Sequence, residues 1–207
     1  MEEKLSTIIE QSSQLFMKFG IRSLTMDDVA KNLRISKKTL YQFVTDKDDL
    51  VNKCIDAACD RDMDHISCIA GKYYNAIDEL LAISTFVSGQ LNNIHPSIFF
   101  DLEKYHPQAL AKFEKHRHHS IFGSIKKNIE DGMAQDFYRK DLNAAFTAWI
   151  YMSAVDNVLH GDLSYMPNSS MGEVYQEMVR YHLHAMASKK GLEYLKNLNN
   201  NQESTTK

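Results

Sequence analysis

The chain is expected to be all-α, with a small N-terminal three-helix head joined by a long helix to a larger helical body. Three observations carry this expectation. Only three prolines and eight glycines interrupt 207 residues. Apolar residues recur at spacings of three and four, and no strand-like alternation runs beyond a few residues. Hydrophobic residues make up 43% and charged residues 25%, ordinary proportions for a globular protein with a buried core.

Residues 5–19 put Leu5, Ile8, Ile9, Leu15, Phe16 and Phe19 on one helical face, and Gly20 supplies the stop. Thr25-Met-Asp-Asp28 reads as a capping box that opens a short second helix, with Val29, Ala30 and Leu33 facing inward. Ser36 caps a third helix expected from Lys37 to about Val44. Thr45-Asp-Lys-Asp48 reads as the cap of a fourth helix running beyond residue 60. Further helices are expected near 75–94, 97–105, 108–131, 142–161 and 171–190, with Pro96 and Pro107 as first helical residues. Ser170-Met-Gly-Glu173 is a third capping box. The expected domains are 1–50, 51–196 and a polar, disordered tail over 197–207.

Net charge is −3, but it is unevenly spread. Between Lys18 and Lys47 seven basic residues face three acids, a surplus of four, which leaves the rest of the chain at −7. A basic head on an acidic body suits a protein that meets phosphates with one end only. Two short helices joined by a tight turn and packed on a longer first helix form a helix-turn-helix. Small Ala30 lets the helices cross closely, and Leu33 and Ile35 bury the turn. The outward face holds Lys37, Lys38, Thr39, Tyr41 and Gln42. Ammonium, hydroxyl, phenol and amide groups are what phosphate oxygens and base edges require. Ser36 starts that helix close to the surface, where its amides favour phosphate.

Residues Ile8–Leu50, with Phe16, Gly20, Thr25, Val29-Ala30, Leu33, Ser36, Thr39-Leu40-Tyr41 and Lys47-Asp48-Asp49-Leu50, resemble the DNA-binding domain of the TetR family. Asn128-Ile-Glu-Asp-Gly-Met and Tyr138-Arg-Lys-Asp-Leu-Asn-Ala-Ala resemble a helix-to-helix connection in the C-terminal domains of many members. The resemblance implies that Thr25, Tyr41 and Lys47 contact the DNA backbone, while Lys37, Lys38, Thr39 and Gln42 approach bases. Where members usually place glycine in the turn, this chain has Arg34; where they place phenylalanine, it has Val44. At positive φ, Arg34 would carry strain, and a phosphate contact would explain tolerating it.

One short helix gives too little affinity for specific reading, so a homodimer on a palindromic double-stranded operator is expected, with half-sites about one helical turn apart. The two long helices near 142–161 and 171–190 are the expected dimer surface. Small Ala144, Ala145, Ala148, Ser153 and Ala154 allow close approach, and Trp149, Val158, Met178, Tyr181 and Met186 fill the seam. Phe86, Phe99, Phe100, Tyr105, Phe113, Phe122, Trp149, Met152, Tyr175 and Met178 are candidates to line a pocket for a small, largely apolar effector. The expected function is a ligand-released transcriptional repressor. A same-fold regulator answering a protein partner, or a helical-bundle enzyme, are the alternatives.

Other readings carry less weight. Cys54, Cys59 and Cys68 lack paired spacing, so reduced thiols of a cytoplasmic protein are expected, with no metal and no cofactor. His116-Arg117-His118-His119 is read as a solvated helix face, because adjacent helical residues point apart. Glu103-Lys-Tyr-His106 has the spacing of di-iron bundles but lacks a second matching copy. No nucleophile–base arrangement is legible, so no catalysis is expected. The N-terminus is too acidic for a signal peptide. The apolar stretch Leu142–Leu159 is a core helix, not a membrane span.

Overall fold

A computed structural model describes residues 2–69, 71–161, 166 and 168–205. Its helices are α1 (Glu2–Phe19), α2 (Met26–Asn32), α3 (Lys37–Leu40), α4 (Lys47–Ile69), α5 (Ala76–Asn92) and α6 (Ile98–Tyr105). They continue as α7 (Pro107–His116), α8 (Phe122–Ala134), α9 (Ala144–His160), α10 (Met171–Met186) and α11 (Lys189–Thr205). Among the described residues there is no strand, only an isolated antiparallel bridge between Tyr138 and Ala187. None of these helices is long and apolar enough to cross a membrane.

Local signals set most helix ends. Gly20 closes α1 at φ 80°, and its amide donates to the Phe16 carbonyl at 2.8 Å. The capping boxes at Thr25 and Ser170 are both formed. Pro107 is the first residue of α7, but Pro96 lies outside α6, which begins after Ser97. The cap of α4 also moves by one residue. Asp46 accepts the Asp49 amide at 2.8 Å, while the Asp49 carboxylate accepts the Thr45 amide.

The expected single helix over 108–131 is interrupted by a π turn at Arg117–Ile121. Arg117 is buried there, with its guanidinium over the Phe113 ring, so the histidine run is not uniformly solvated as expected. α11 runs through Thr205, into the stretch whose composition suggested a disordered tail. Extending a helix already nucleated costs far less than starting one.

The chain forms two compact units, 1–65 with 93–119 and 66–92 with 120–207. The first is larger than the 1–50 head expected, because α6 and α7 share its core. Ile98, Leu102 and Ala109 cluster with Ile8, Phe16, Val29, Leu40, Leu50 and Val51. Polar contacts reinforce this packing. The buried Asp101 carboxylate accepts the Arg22 amide at 2.9 Å, and His95 donates its amide to the Met17 carbonyl at 2.7 Å. His106 Nδ1 lies 2.5 Å from the Asp48 carboxylate, so the Glu-x-x-His pattern serves a helix contact within this unit.

In the second unit α10 packs on α5 and α9, and α8 packs on α9 and α5. Asn128 donates to the Ala76 carbonyl and to Glu79, each at 3.0 Å. The Tyr138 hydroxyl donates toward the Ala76 carbonyl and Asn128 Oδ1, each at 3.2 Å. The Tyr138 ring lies on Gly132 so closely that a Cβ there would meet Cδ2 at 2.1 Å. The Asn128–Met133 and Tyr138 motifs thus fold into one buried hydrogen-bonded corner.

Candidate nucleic-acid interface

The helix-turn-helix is built as its sequence requires. α2 ends at Asn32 with Leu33 as its C-cap, and the Ile35 amide reaches back to the Ala30 carbonyl at 3.0 Å. Arg34 occupies the left-handed region at φ 55°, the conformation expected of the residue that replaces glycine. Ser36 then caps α3 by accepting the Thr39 amide at 3.0 Å.

Beyond Leu40 the helix tightens and does not stop abruptly. The Gln42 and Phe43 amides bond three residues back, to Thr39 and Leu40, as helices do when their last carbonyls lack partners. Leu40 and Val44 are buried and Phe43 half-buried, which fixes the opposite face outward.

The nine expected DNA-contacting residues all belong to this unit, but their polar ends differ in readiness. Arg34, Lys38, Tyr41 and Gln42 are exposed, and among the described residues no side-chain hydrogen bond is seen for them. Lys37 is exposed but pairs with Asp27, Nζ to Oδ1 at 2.9 Å. That hydrogen bond and charge hold its ammonium above the ordinary lysine range.

The hydroxyl of Thr25 donates to Asp28 at 2.6 Å and accepts the Asp28 amide. The hydroxyl's bond, with one that the Thr25 amide donates to the same carboxylate at 2.9 Å, holds the Asp28 carboxyl below its usual range. Ser36 and Thr39 hydroxyls lie 2.8 Å apart. Lys47 is half-buried and donates to the Leu24 carbonyl at 2.6 Å. Burial lowers its proton affinity, with Asp101, Asp48 and Asp28 opposing that loss. Lys47 therefore ties α4 to the end of the loop before α2.

Sequence reading missed two contributors. Asp27 neutralises Lys37 across the two helices, and its place two residues after the Thr25 cap was a usable signal. Asp101 holds the Arg22 amide from 79 positions away, and nothing local marks it.

The residues expected in the dimer surface separate into two groups. Ala145, Trp149, Ser153 and Tyr181 are exposed. Trp149 is 59% exposed and Tyr181 79%. Phe146 and Ile150 extend that face, and the Phe146 and Trp149 rings stack at 5.9 Å. Val158 and Met186 are instead buried in the core of their own unit, and Met178 is half-buried. The cause is angular. Val158 lies nine residues from Trp149, about two and a half turns, and so faces the opposite way.

The expected pocket residues are divided between the two units. Phe99, Phe100, Tyr105 and Phe113 belong to the first, the other six to the second. Phe100 is 55% exposed beside Lys104, and Trp149 is likewise open. Tyr105 lies under the Arg22 guanidinium, and Phe99 packs on Phe113. Met152 and Tyr175 are buried, Tyr175 with its hydroxyl 2.7 Å from that of Tyr151. Phe86, Phe122 and Met178 are half-buried.

His182 is buried and His184 exposed. Burial pushes the His182 imidazole down to about 4, so it is neutral at pH 7. Among the described residues no group of three His, Cys, Asp or Glu side chains is placed to hold a metal ion.

Residues 8–54 match the family model described as bacterial regulatory proteins, tetR family. No curated protein matches the chain by sequence. Solved structures match nearly its whole length. A TetR-family regulator from Agrobacterium tumefaciens superposes with a TM-score of 0.73 at 16% identity, covering 90% of this chain and 99% of that one. The fatty acid degradation regulator FadR from Bacillus halodurans gives 0.67 at 15% identity, covering 87% and 94%. A transcriptional regulator from Saccharomonospora viridis, in complex with choline, gives 0.73 at 17% identity, covering 91% and 100%.

Proposed function

From a chain that carries a TetR-family DNA-binding domain and has the fold of that family's regulators, we propose a homodimeric repressor, released from a palindromic operator by a small, largely apolar ligand. The observation that carries this reading is the shared exposure of Lys38, Tyr41 and Gln42 beside the capped start of α3. Lys38 and Tyr41 address phosphates, and Gln42 addresses a base edge. Arg34 adds a cation at the turn, and Lys37 joins once phosphate displaces Asp27. Thr25, Ser36, Thr39 and Lys47 shape this surface through the hydrogen bonds they already make. Any contact they make with DNA is shared with, or replaces, those bonds.

A second copy of the chain supplies the second recognition helix. The exposed stripe Ala145, Phe146, Trp149, Ile150 and Ser153 on α9, with Tyr181 on α10, is the surface we assign to it. An apolar stripe with a stacked aromatic pair is unusual on a lone soluble subunit. The effector acts in the helical body by favouring the DNA-free state over the operator-bound one. A choline complex of a protein with this fold supports small-molecule control in general terms. The regulator works in the cytoplasm, on DNA.

The experiment is a gel shift with the full-length protein and the DNA flanking its own gene. One retarded species, competed by a palindromic fragment and weakened by ligand without loss of the dimer, is the expected result. Equal affinity for every fragment, or equal affinity with and without ligand, overturns it.

A further inference from the structure

The core of the second compact unit holds a polar cluster that the fold leaves incomplete. The Tyr151 hydroxyl of α9 and the Tyr175 hydroxyl of α10 lie 2.7 Å apart. Whichever of them donates, the other keeps its own hydrogen, and no acceptor for it is seen among the described residues. The Tyr151 ring also meets the His182 imidazole edge to face, with centroids 5.1 Å apart. His182 is only 7% exposed, yet its Nε2 has no hydrogen-bond partner among the described residues. Both tyrosines are buried more deeply still. A buried polar atom left unpaired has given up water for nothing, so two such atoms in one cluster call for a third group.

We propose that Tyr151, Tyr175 and His182 are the polar anchor of the effector site, and that the effector is an uncharged, largely apolar molecule carrying a hydroxyl group. This rests on the ligand-released repressor proposed above and gives its effector a chemical class. A hydroxyl suits the cluster in either imidazole tautomer. It donates to Nε2 when that atom is bare and accepts from it when it carries the proton. In both cases its oxygen also accepts the free phenol hydrogen. A carbonyl serves only one tautomer. Burial alone depresses the imidazole to about 4, with no neighbouring charge contributing, so it is neutral and a charged guest would leave water for no countercharge. Space for the apolar part comes from thioethers. Met178 and Met186 lie one turn either side of His182 on α10, and Met152 follows Tyr151 on α9. Such side chains rearrange at low cost, and the guest takes volume that they fill in this structure.

The test uses the full chain without DNA, with 1-hexanol and cyclohexanol as probes and hexanoate at pH 7 as the charged comparison. Binding is read by the methyl NMR signals of Met152, Met178 and Met186 and by thermal unfolding. Saturable shifts from at least one alcohol are expected, with a rise in Tm of about 1–3 °C at saturation, and neither effect from hexanoate. His182→Phe keeps a buried ring and should weaken alcohol binding about tenfold. Tyr151→Phe with Tyr175→Phe serves the same purpose if the first variant does not fold. The inference is overturned if neither alcohol gives saturable shifts, if hexanoate binds as tightly, or if the variant binds the alcohol as well as wild type does. Those failures leave the regulatory reading in place. Operator affinity is measured separately by gel shift: if the alcohol binds with this dependence and the retarded species persists, the hydroxyl site stands and the ligand-released repressor falls.

Discussion

The Lys37 ammonium lies 2.9 Å from the Asp27 carboxylate, tying the first residue of α3 to the first turn of α2. A cation proposed to meet phosphate is thus held by an anion that DNA must displace. Both groups are exposed, so the pair contributes little to stability. Its effect falls on binding. Asp27→Asn is expected to raise affinity for any duplex by about twofold to fivefold at low salt, as Lys37 loses its competitor. Lys37→Ala with Lys38→Ala should weaken binding to all sequences and flatten its salt dependence. Fluorescence anisotropy against salt, on an unrelated duplex, reads both. Unchanged affinity in Asp27→Asn would show that Lys37 takes no part.

Arg34 sits at φ 55°, where a side chain strains the backbone and glycine does not. Arg34→Gly should stabilise the fold by about 1 kcal/mol or slightly less, the glycine's looser unfolded state offsetting part of the relief. Loss of operator affinity alongside that gain would identify a phosphate contact. A clear fall in Tm refutes the strained turn.

Gly132 is required by Tyr138. A Cβ at 132 would sit 2.1 Å from the Tyr138 ring, and the ring is held by hydrogen bonds to Ala76 and Asn128. Gly132→Ala is expected to cost about 1–3 kcal/mol by overpacking. In a Tyr138→Ala background the same change should cost little, because the clash is gone. Denaturant midpoints of the four proteins form the cycle. Equal costs in both backgrounds would mean the glycine serves something other than the ring.

His182 predicts a pH dependence. Its folded value is depressed to about 4 by burial, against about 6.5 for an unfolded histidine. The unfolded chain therefore takes up the proton first. Stability from this group is full above about pH 6.5 and is lost as pH falls toward 4, by up to about 3 kcal/mol. Asp62, pushed up to about 6 by burial, runs the other way, losing its contribution as pH rises from the ordinary aspartate range to that value. Comparing wild type with His182→Leu at one protein concentration cancels the Asp62 part. The variant should show a shallower acid slope; identical slopes would remove His182 as the cause.

Tyr181 and Met186 are five residues apart on α10 but differ from 79% to 1% exposed. Tyr181→Glu is expected to leave a folded monomer at micromolar concentration, seen by sedimentation with helix content unchanged. Met186→Ala should instead lower stability by about 2–5 kcal/mol through the cavity it opens. A Tyr181→Glu protein that remains dimeric would place the interface elsewhere.

The sequence by itself determined what depends on a few neighbouring residues. The Thr25 and Ser170 boxes, the Gly20 stop, the Ser36 cap and the outward set Lys38, Tyr41 and Gln42 follow from side chains within four positions of the backbone they organise. The helical period turned Leu40 inward, with Phe43 or Val44 beside it, for the same reason, and packing settled on Val44. Tertiary structure alone decided which face of α9 and α10 stays open, placing Val158 and Met186 in the core although both suit a seam. It also joined α6 to the head through Asp101 and Arg22, turned Lys47 inward to Leu24, and left Phe100 and Trp149 exposed. These outcomes rest on contacts between residues tens of positions apart, where apolar periodicity names a helix's buried side only after its neighbours are known.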